Sequence, residues 1–356
     1  MLDFIRIILS PLVIVYSLIT KIRNVFFDKN IFPSAKVDTK VISVGNLTVG
    51  GSGKTPATMM IAKTLKEKNK KVGLLSRGYG RSSIGYVYVS DGNNINTSVD
   101  ECGDEMYFMS EELKVPAAVA EHRVDGAKQF IKDSNVDTII LDDAFQHRWI
   151  YRNVDVVIID QRFLEKDGQI EQHLLPLGSM REPFESLKRS DIIIINRKFS
   201  GINKIPEKLE RYFEGKKVFT GYYEAVGFYD VKNHNFFNMN EFQGQKSLVV
   251  CGIARPYSFL NALEKNKIDI TNKMIFDDHK NYSLKEVHDI RKKFYDTNSY
   301  SVLTTQKDAV KFIKYSKELD DIDIFYLKIE LKLDEQNKFD ELIIKSIKEG
   351  SKNYRL

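Results

Sequence analysis

From Lys40 onward, short runs of Ile, Val and Leu alternate with longer stretches of helical periodicity. The runs are "KVISVG" (40–45), "KVGLLS" (71–76), "DTIILDD" (137–143), "VDVVIID" (154–160) and "SDIIIIN" (190–196). They lack the apolar–polar alternation of a half-exposed strand, so they predict strands buried on both faces of a mostly parallel sheet. "TPATMMIAKTLKEKNK" and "DEMYFMSEELK" predict helices between them, giving an α/β architecture. Over residues 216–245 the rhythm stops, and aromatics with Gly/Asn turn signals predict a β-rich connector. A second, smaller α/β unit follows, with strands at "KSLVVCGI", "SVLTTQKD" and "IDIFYLKI" and a helix over 284–295.

The N-terminus departs from this pattern. Residues 7–20, "IILSPLVIVYSLIT", form an uncharged run of 14, flanked by Arg6, Lys21 and Arg23. A bilayer-spanning helix needs roughly 18 or more such residues, and Pro11 is expected to interrupt this run. A signal peptide would need a small-residue cleavage site, which "KIRNVFF" does not offer. Two readings remain. One is a buried core helix. The other is a monotopic helix lying in a membrane interface, with Phe4, Tyr16, Phe26 and Phe27 toward headgroups and Arg6, Lys21, Arg23 and Lys29 toward anionic lipid.

Composition narrows the class. The chain has 356 residues, 42% hydrophobic and 29% charged, enough for two globular units. Its net charge of +5 is spread without a basic block, so no nucleic-acid partner is indicated. Cys102 and Cys251 are the only cysteines, outside any C-x-x-C pair, which argues against a disulfide framework and for a reducing compartment.

The chemistry gathers around "SVGNLTVGGSGKTP" (43–56). A strand, a glycine-rich turn and a helix starting near Lys54 would wrap backbone N–H groups and a positive helix end around polyphosphate. The strict P-loop pattern wants glycine at position 48, where this chain has Thr48. The spelling Gly50-Gly51-Ser52-Gly53-Lys54-Thr55 matches the G-G-x-G-K-[ST] variant, with Val49 where some relatives of that variant carry lysine. Lys54 is the expected contact to the β- and γ-phosphates and Thr55 a Mg²⁺ ligand. Asp142 and Asp143 end an apolar strand and are suited to a cation nearby. Asp160 ends another strand and reads as a cap rather than a metal ligand.

Gln146, His147 and Arg148 follow on the same connection as Asp142 and Asp143. "LSRGYGR" (75–81), with Arg77, Tyr79 and Arg81, and "GSMREP" with Arg181 offer phosphate or sugar contacts, although surface arginine is the commoner role. Asp104 and Glu105 follow Gly103 at a helix start, where a plain N-cap explains an acid. "FDDHKNYS" places Asp277, Asp278 and His279 in a loop before a helix that Ser283 would cap, and a histidine beside acids is a candidate proton handler.

The ordered set GNLTVGGSGKTP, SRGYGR, GDE, LDDAFQHR, LGSMREP, FDDH and TQKDAVK resembles the tetraacyldisaccharide 4'-kinase family, the lipid A 4'-kinases of Gram-negative bacteria. That family shares the departure at Thr48. The resemblance implies transfer of the ATP γ-phosphate, with Mg²⁺, to the 4'-hydroxyl of a tetraacyldisaccharide 1-phosphate, giving lipid IVA. It implies nucleotide contacts from residues 48–55 and Gln146, and metal contacts from Thr55, Asp142 and Asp143. Asp104 becomes the general base, assisted by His279, with Asp143 and Arg181 also in the catalytic set. Tyr79, Glu105, Arg123 and His147 fall among the substrate contacts. Where the family commonly has a second histidine after its D-H pair, this chain has Lys280.

The organisation expected on this basis is an N-terminal membrane-associated helix (1–30), a P-loop kinase domain (38–215), the β-rich connector (216–245) and a C-terminal α/β domain (246–356). The protein is expected to act as a monomer, peripheral on the cytoplasmic face of the inner membrane. The rival class is a variant-P-loop regulatory or assembly ATPase. A GTPase is disfavoured because "INRKF" has Phe199 in place of the base-reading acid, and a metal-delivery NTPase lacks its Cys/His ligands.

Overall fold

The computed structural model describes residues 2–166, 168–278 and 280–349, so His279 lies outside the described residues. In chain order the strands are β1 (Lys40–Gly45), β2 (Val72–Ser76), β3 (Val87–Asp91), β4 (Pro116–Val119), β5 (Thr138–Asp142), β6 (Val154–Asp160) and β7 (Ile192–Asn196). They continue with β8 (Lys217–Asp230), β9 (Phe236–Phe237), β10 (Ser247–Cys251), β11 (Asn272–Ile275), β12 (Ser301–Thr305) and β13 (Ile324–Leu333). All belong to one sheet, ordered β11-β10-β12-β13-β8-β7-β6-β1-β5-β2-β4-β3, with β9 paired to β8.

Every residue of β2, β5, β6, β7 and β10 is buried, which explains their continuous apolar spelling. The run from β4 to β8 is parallel, as is the run from β11 to β13; β3 joins β4, and β13 joins β8, antiparallel. The Lys54–Glu67 and Asp104–Leu113 helices cover one face of the first half and the Arg123–Ser134 helix covers the other through Ala127 and Phe130.

The segment expected as a connector is a shared strand. Residues 217–221 of β8 pair with β7, and residues 221–230 of β8 pair with β13, so the chain passes between the halves without leaving the sheet.

The N-terminal helix runs from Leu2 to Asp28 straight through Pro11, contrary to the expected interruption. A single proline removes one backbone hydrogen bond, which a helix this long survives. The core-helix reading fails. Leu12, Ile14, Val15, Leu18, Ile19, Ile22 and Val25 are all exposed, Ile14 by 72%. The opposite face is docked through buried Thr20 and Phe27, and Arg148 donates to the Asn24 carbonyl at 3.0 Å and to Asp28 at 2.8 Å. Among the described residues no helix is long and apolar enough to cross a membrane.

Candidate active site

The glycine-rich loop follows β1 and occupies residues 46–53, and its shape is set from three sides. Gly50 and Gly53 adopt φ of 90° and 102°, the left-handed region that glycine tolerates. A Cβ on Gly53 would fall 2.3 Å from the Asn196 amide nitrogen and 2.5 Å from the Tyr223 hydroxyl. Fully buried Asn196 donates to the Ser52 carbonyl at 3.0 Å, and the Lys198 ammonium donates to the Gly51 carbonyl at 2.9 Å. Asn46, also fully buried, donates to the Ser52 hydroxyl at 2.7 Å.

Thr48 now has a physical account. It bridges antiparallel to Met180, while Val49 N–H donates to the Ser179 carbonyl at 2.8 Å and Arg181 N–H to the Leu47 carbonyl at 2.7 Å. This part of the loop is a short ladder, and a residue in a ladder has no need of glycine. The same ladder delivers Arg181 to the site.

Arg181 donates to Asp143 through both terminal nitrogens, at 2.7 and 3.2 Å, and also to the Asn46 side-chain oxygen. Lys54 Nζ lies 3.7 Å from the same Asp143 carboxylate. Burial works to raise the Asp143 carboxyl, but the Lys54 and Arg181 cations outweigh it and hold the group below its usual range. Asp142 has the opposite environment. Burial first, and then the Glu105 charge, push its carboxyl up to about 7, against the Thr58 hydroxyl, which donates to it at 2.7 Å. The two adjacent acids therefore differ: cations hold the Asp143 carboxyl down, whereas burial holds the Asp142 carboxyl up.

A cavity of about 810 Å³ lies over the loop. Residues 48–55, Tyr79, Glu105, Arg123, Asp142, Asp143, Gln146, His147 and Arg181 all line it, joined from the second half by Arg255, Asp278, Gln306 and Lys307. Gln146 donates to the Asn46 carbonyl at 2.9 Å. His147 is pushed down to about 3 by burial and then by Arg123, Arg152, Arg23 and Arg77, so it is neutral near pH 7. Arg123 is 7% exposed at the start of its helix, and burial lowers it from the usual guanidinium range.

Asp104 is placed differently from the rest. It does not line the cavity; it sits behind Glu105, 6% exposed, with its carboxylate 3.1 Å from Lys311 Nζ and 4.0 Å from Lys307 Nζ. The N-cap expectation is corrected, because Gly103 at φ 86° occupies the cap and Asp104 is the first helical residue, accepting from Glu105 N–H at 2.9 Å. A Cβ on Gly103 would meet the Tyr79 carbonyl at 2.9 Å, so the close approach of "RGYG" explains that glycine. The expectation for Arg81 is corrected too: its side chain is 3% exposed, pairs with Glu121 and the Gly85 carbonyl, and does not line the cavity. Asp160 is the expected cap, accepting from Arg162 N–H at 3.0 Å, and it also pairs with Lys198 and Arg255.

The comparisons with known proteins decide the family. A family model described as tetraacyldisaccharide-1-P 4'-kinase matches residues 5–348. The chain belongs to that family. Its activity is accordingly ATP-dependent phosphorylation of the 4'-hydroxyl of the lipid A disaccharide precursor, which removes the regulatory-ATPase alternative. A tetraacyldisaccharide 4'-kinase of Halothermothrix orenii is 36% identical, with 92% of this chain and 88% of the relative covered. One from Chlorobium phaeobacteroides is 31% identical, with 97% and 98% covered. The crystal structure of LpxK from Aquifex aeolicus in complex with ATP superposes with a TM-score of 0.78 at 29% identity, over 96% of this chain and 99% of that one.

Within this 4'-kinase fold, the residues that sequence reading passed over are Asn46, Asn196, Lys198, Arg255, Lys307 and Lys311. Asn196 and Lys198 stand in "INRKF", whose local chemistry shows only a missing base-reading acid. Lys307 and Lys311 stand in "TQKDAVK".

Proposed function

We propose the following division of labour for the 4'-kinase reaction. ATP lies in the cavity with its phosphates on the amides of residues 50–55, Lys54 against the β- and γ-phosphates, and Arg181 on the transferring group. Mg²⁺ would be held by the Thr55 hydroxyl, Asp142 and Asp143, where it would neutralise charge on the phosphate oxygens. This donor set is all oxygen, and no three His, Cys, Asp or Glu side chains cluster as a metal cage among the described residues; both features fit an ion bound largely by water and phosphate. The 4'-hydroxyl gives its proton to Asp104, with His279 assisting as the family resemblance implies. A bond forms from that oxygen to the γ-phosphorus, the γ-phosphorus–oxygen bond to the β-phosphate breaks, and ADP leaves with the electron pair.

The observation that carries this reading is the convergence of Lys54 and Arg181 on Asp143 at the mouth of the glycine-rich loop, within a cavity to which both halves of the sheet contribute. In the observed arrangement Glu105 lines the cavity and Asp104 lies one residue behind it, so a local shift at the start of the Asp104–Leu113 helix is part of this reading. The exposed apolar face of the Leu2–Asp28 helix supports a peripheral seat on the cytoplasmic face of the inner membrane, where an acylated acceptor resides.

The test is Asp104→Asn in single-turnover kinetics. The chemical step is expected to slow by about 10²–10⁴-fold with ATP affinity unchanged. A selective loss of ATP affinity would show instead that Asp104 serves the nucleotide.

A further inference from the structure

Asp104 is met by a buried cation from the other half of the sheet. Lys311 lies on the Gln306–Phe312 helix after β12, a helix that packs against Asp104–Leu113. It is 4% exposed, and its Nζ is 3.1 Å from Asp104 and 3.5 Å from Asp308. Asp308 is fully buried; its Oδ2 accepts from Gly252 N–H at 2.9 Å and the Thr305 hydroxyl at 2.8 Å, and its Oδ1 faces Lys311. Lys307, one turn earlier, faces Glu105 at 3.3 Å, Asp278 at 3.8 Å and Asp104 at 4.0 Å.

We propose that Lys311 is a positioning residue for phosphoryl transfer: it holds Asp104 ionised and fixed in direction, and it ties the base to the approach of the two halves. This rests on Asp104 being the proton acceptor.

Burial by itself favours the protonated form of a carboxyl group, which cannot accept the hydroxyl proton. Among the described residues, the groups shown facing Asp104 are Lys311 and Lys307 from one helix and Glu105 from its own, with Asp278 beyond Lys307 and the buried Cys102 thiol beside it. Of these only the two lysines favour the carboxylate, and Lys311 is the nearer and the more buried. A purely structural lysine would be satisfied by Asp308 alone, yet Lys311 stands closer to Asp104. The arrangement also balances during the reaction. When the proton moves from the 4'-oxygen to Asp104, Lys311 keeps Asp308 as counter-ion, so no buried cation is left alone.

The experiment measures kcat and KM against pH for Lys311→Met, Lys311→Arg, Asp104→Asn and the double variant Asp104→Asn/Lys311→Met, using the full chain with ATP, Mg²⁺ and the disaccharide acceptor. Lys311→Met is expected to lower kcat about tenfold or more near neutral pH with the KM for ATP little changed, and to move the acid limb of the profile up by about 1–3 units. Lys311→Arg should restore the limb, and the double variant should be no slower than Asp104→Asn. A Lys311→Met profile of unchanged shape, scaled down or not, overturns the proposal. If Asp104→Asn itself retains full kcat, the base assignment fails and Lys311 falls with it. If Asp104→Asn is slow while Lys311→Met keeps the native limb, only the Lys311 assignment fails. Should Lys311→Met not fold, an Arg variant that keeps the native limb supports the proposal and one that displaces it overturns it.

Discussion

Replacing Asp142 by asparagine removes a charge that the metal-free fold holds at a cost. Asp142 is 3% exposed, and its carboxyl is pushed from 3.8 to about 7, by burial first and the Glu105 charge second. Between those values the folded protein keeps a proton that the unfolded chain has released, so stability falls as pH rises through this window. A shift of roughly three units corresponds to about 4 kcal/mol once the group is fully ionised. Asparagine carries no charge and still offers Thr58 an acceptor. The stability of Asp142→Asn relative to the parent should therefore grow by about 2–3 kcal/mol between about pH 5 and about pH 8. Urea unfolding of the metal- and nucleotide-free protein, followed by circular dichroism, measures this directly. The same variant should lose activity by about 10²-fold or more if Asp142 serves the metal. A stability difference that is flat with pH, or a variant less stable at the alkaline end, would refute the reasoning.

Other substitutions probe the loop and the N-terminal helix. Gly53→Ala must hold a side chain at φ 102° against Asn196 and Tyr223, so it should cost about 1–3 kcal/mol and abolish ATP binding by calorimetry. Glu182 is fully buried between Arg23 at 2.9 Å and Arg189 at 2.6 Å; Glu182→Ala should destabilise by about 3–5 kcal/mol in urea unfolding, because it removes the buried carboxylate that both cations share. Burial opposes ionisation of Glu182, but Arg189 and then Arg23 hold its carboxyl below the usual 4.5, so its contribution is present above that value and is lost as pH falls through the depressed one. Ile14→Asp with Leu18→Asp, both on the exposed face, should release the protein from anionic vesicles in co-sedimentation while leaving its melting temperature unchanged.

Much of the fold was legible because the central strands are buried on both sides and spell themselves as unbroken Ile and Val. The strands absent from that pattern, β3, β4, β9 and β11, carry weaker signals: β4, for example, is "PAAV", small residues under the Arg123–Ser134 helix, and β11 is an edge strand of alternating exposure. Pro11 misled because chain chemistry gives a cost for proline without saying whether the rest of the helix can bear it. In the site, glycines, the Lys54-Thr55 pair and the strand-end acids were visible as local chemistry. Thr48 looked anomalous because its reason is a ladder to Met180, more than a hundred residues away in sequence. Asn196, Lys198 and Lys311 act by tertiary approach to backbone carbonyls or to Asp104, and no local spacing announces such a contact.

The central claim is tested most directly by incubating the purified chain with γ-labelled ATP, Mg²⁺ and a tetraacyldisaccharide 1-phosphate, then resolving lipid from nucleotide and taking the product mass. The expected product is a labelled lipid one phosphate heavier than the acceptor, with the new phosphate on the 4'-oxygen and ADP formed in equal amount. ADP and inorganic phosphate released with no labelled lipid would contradict it.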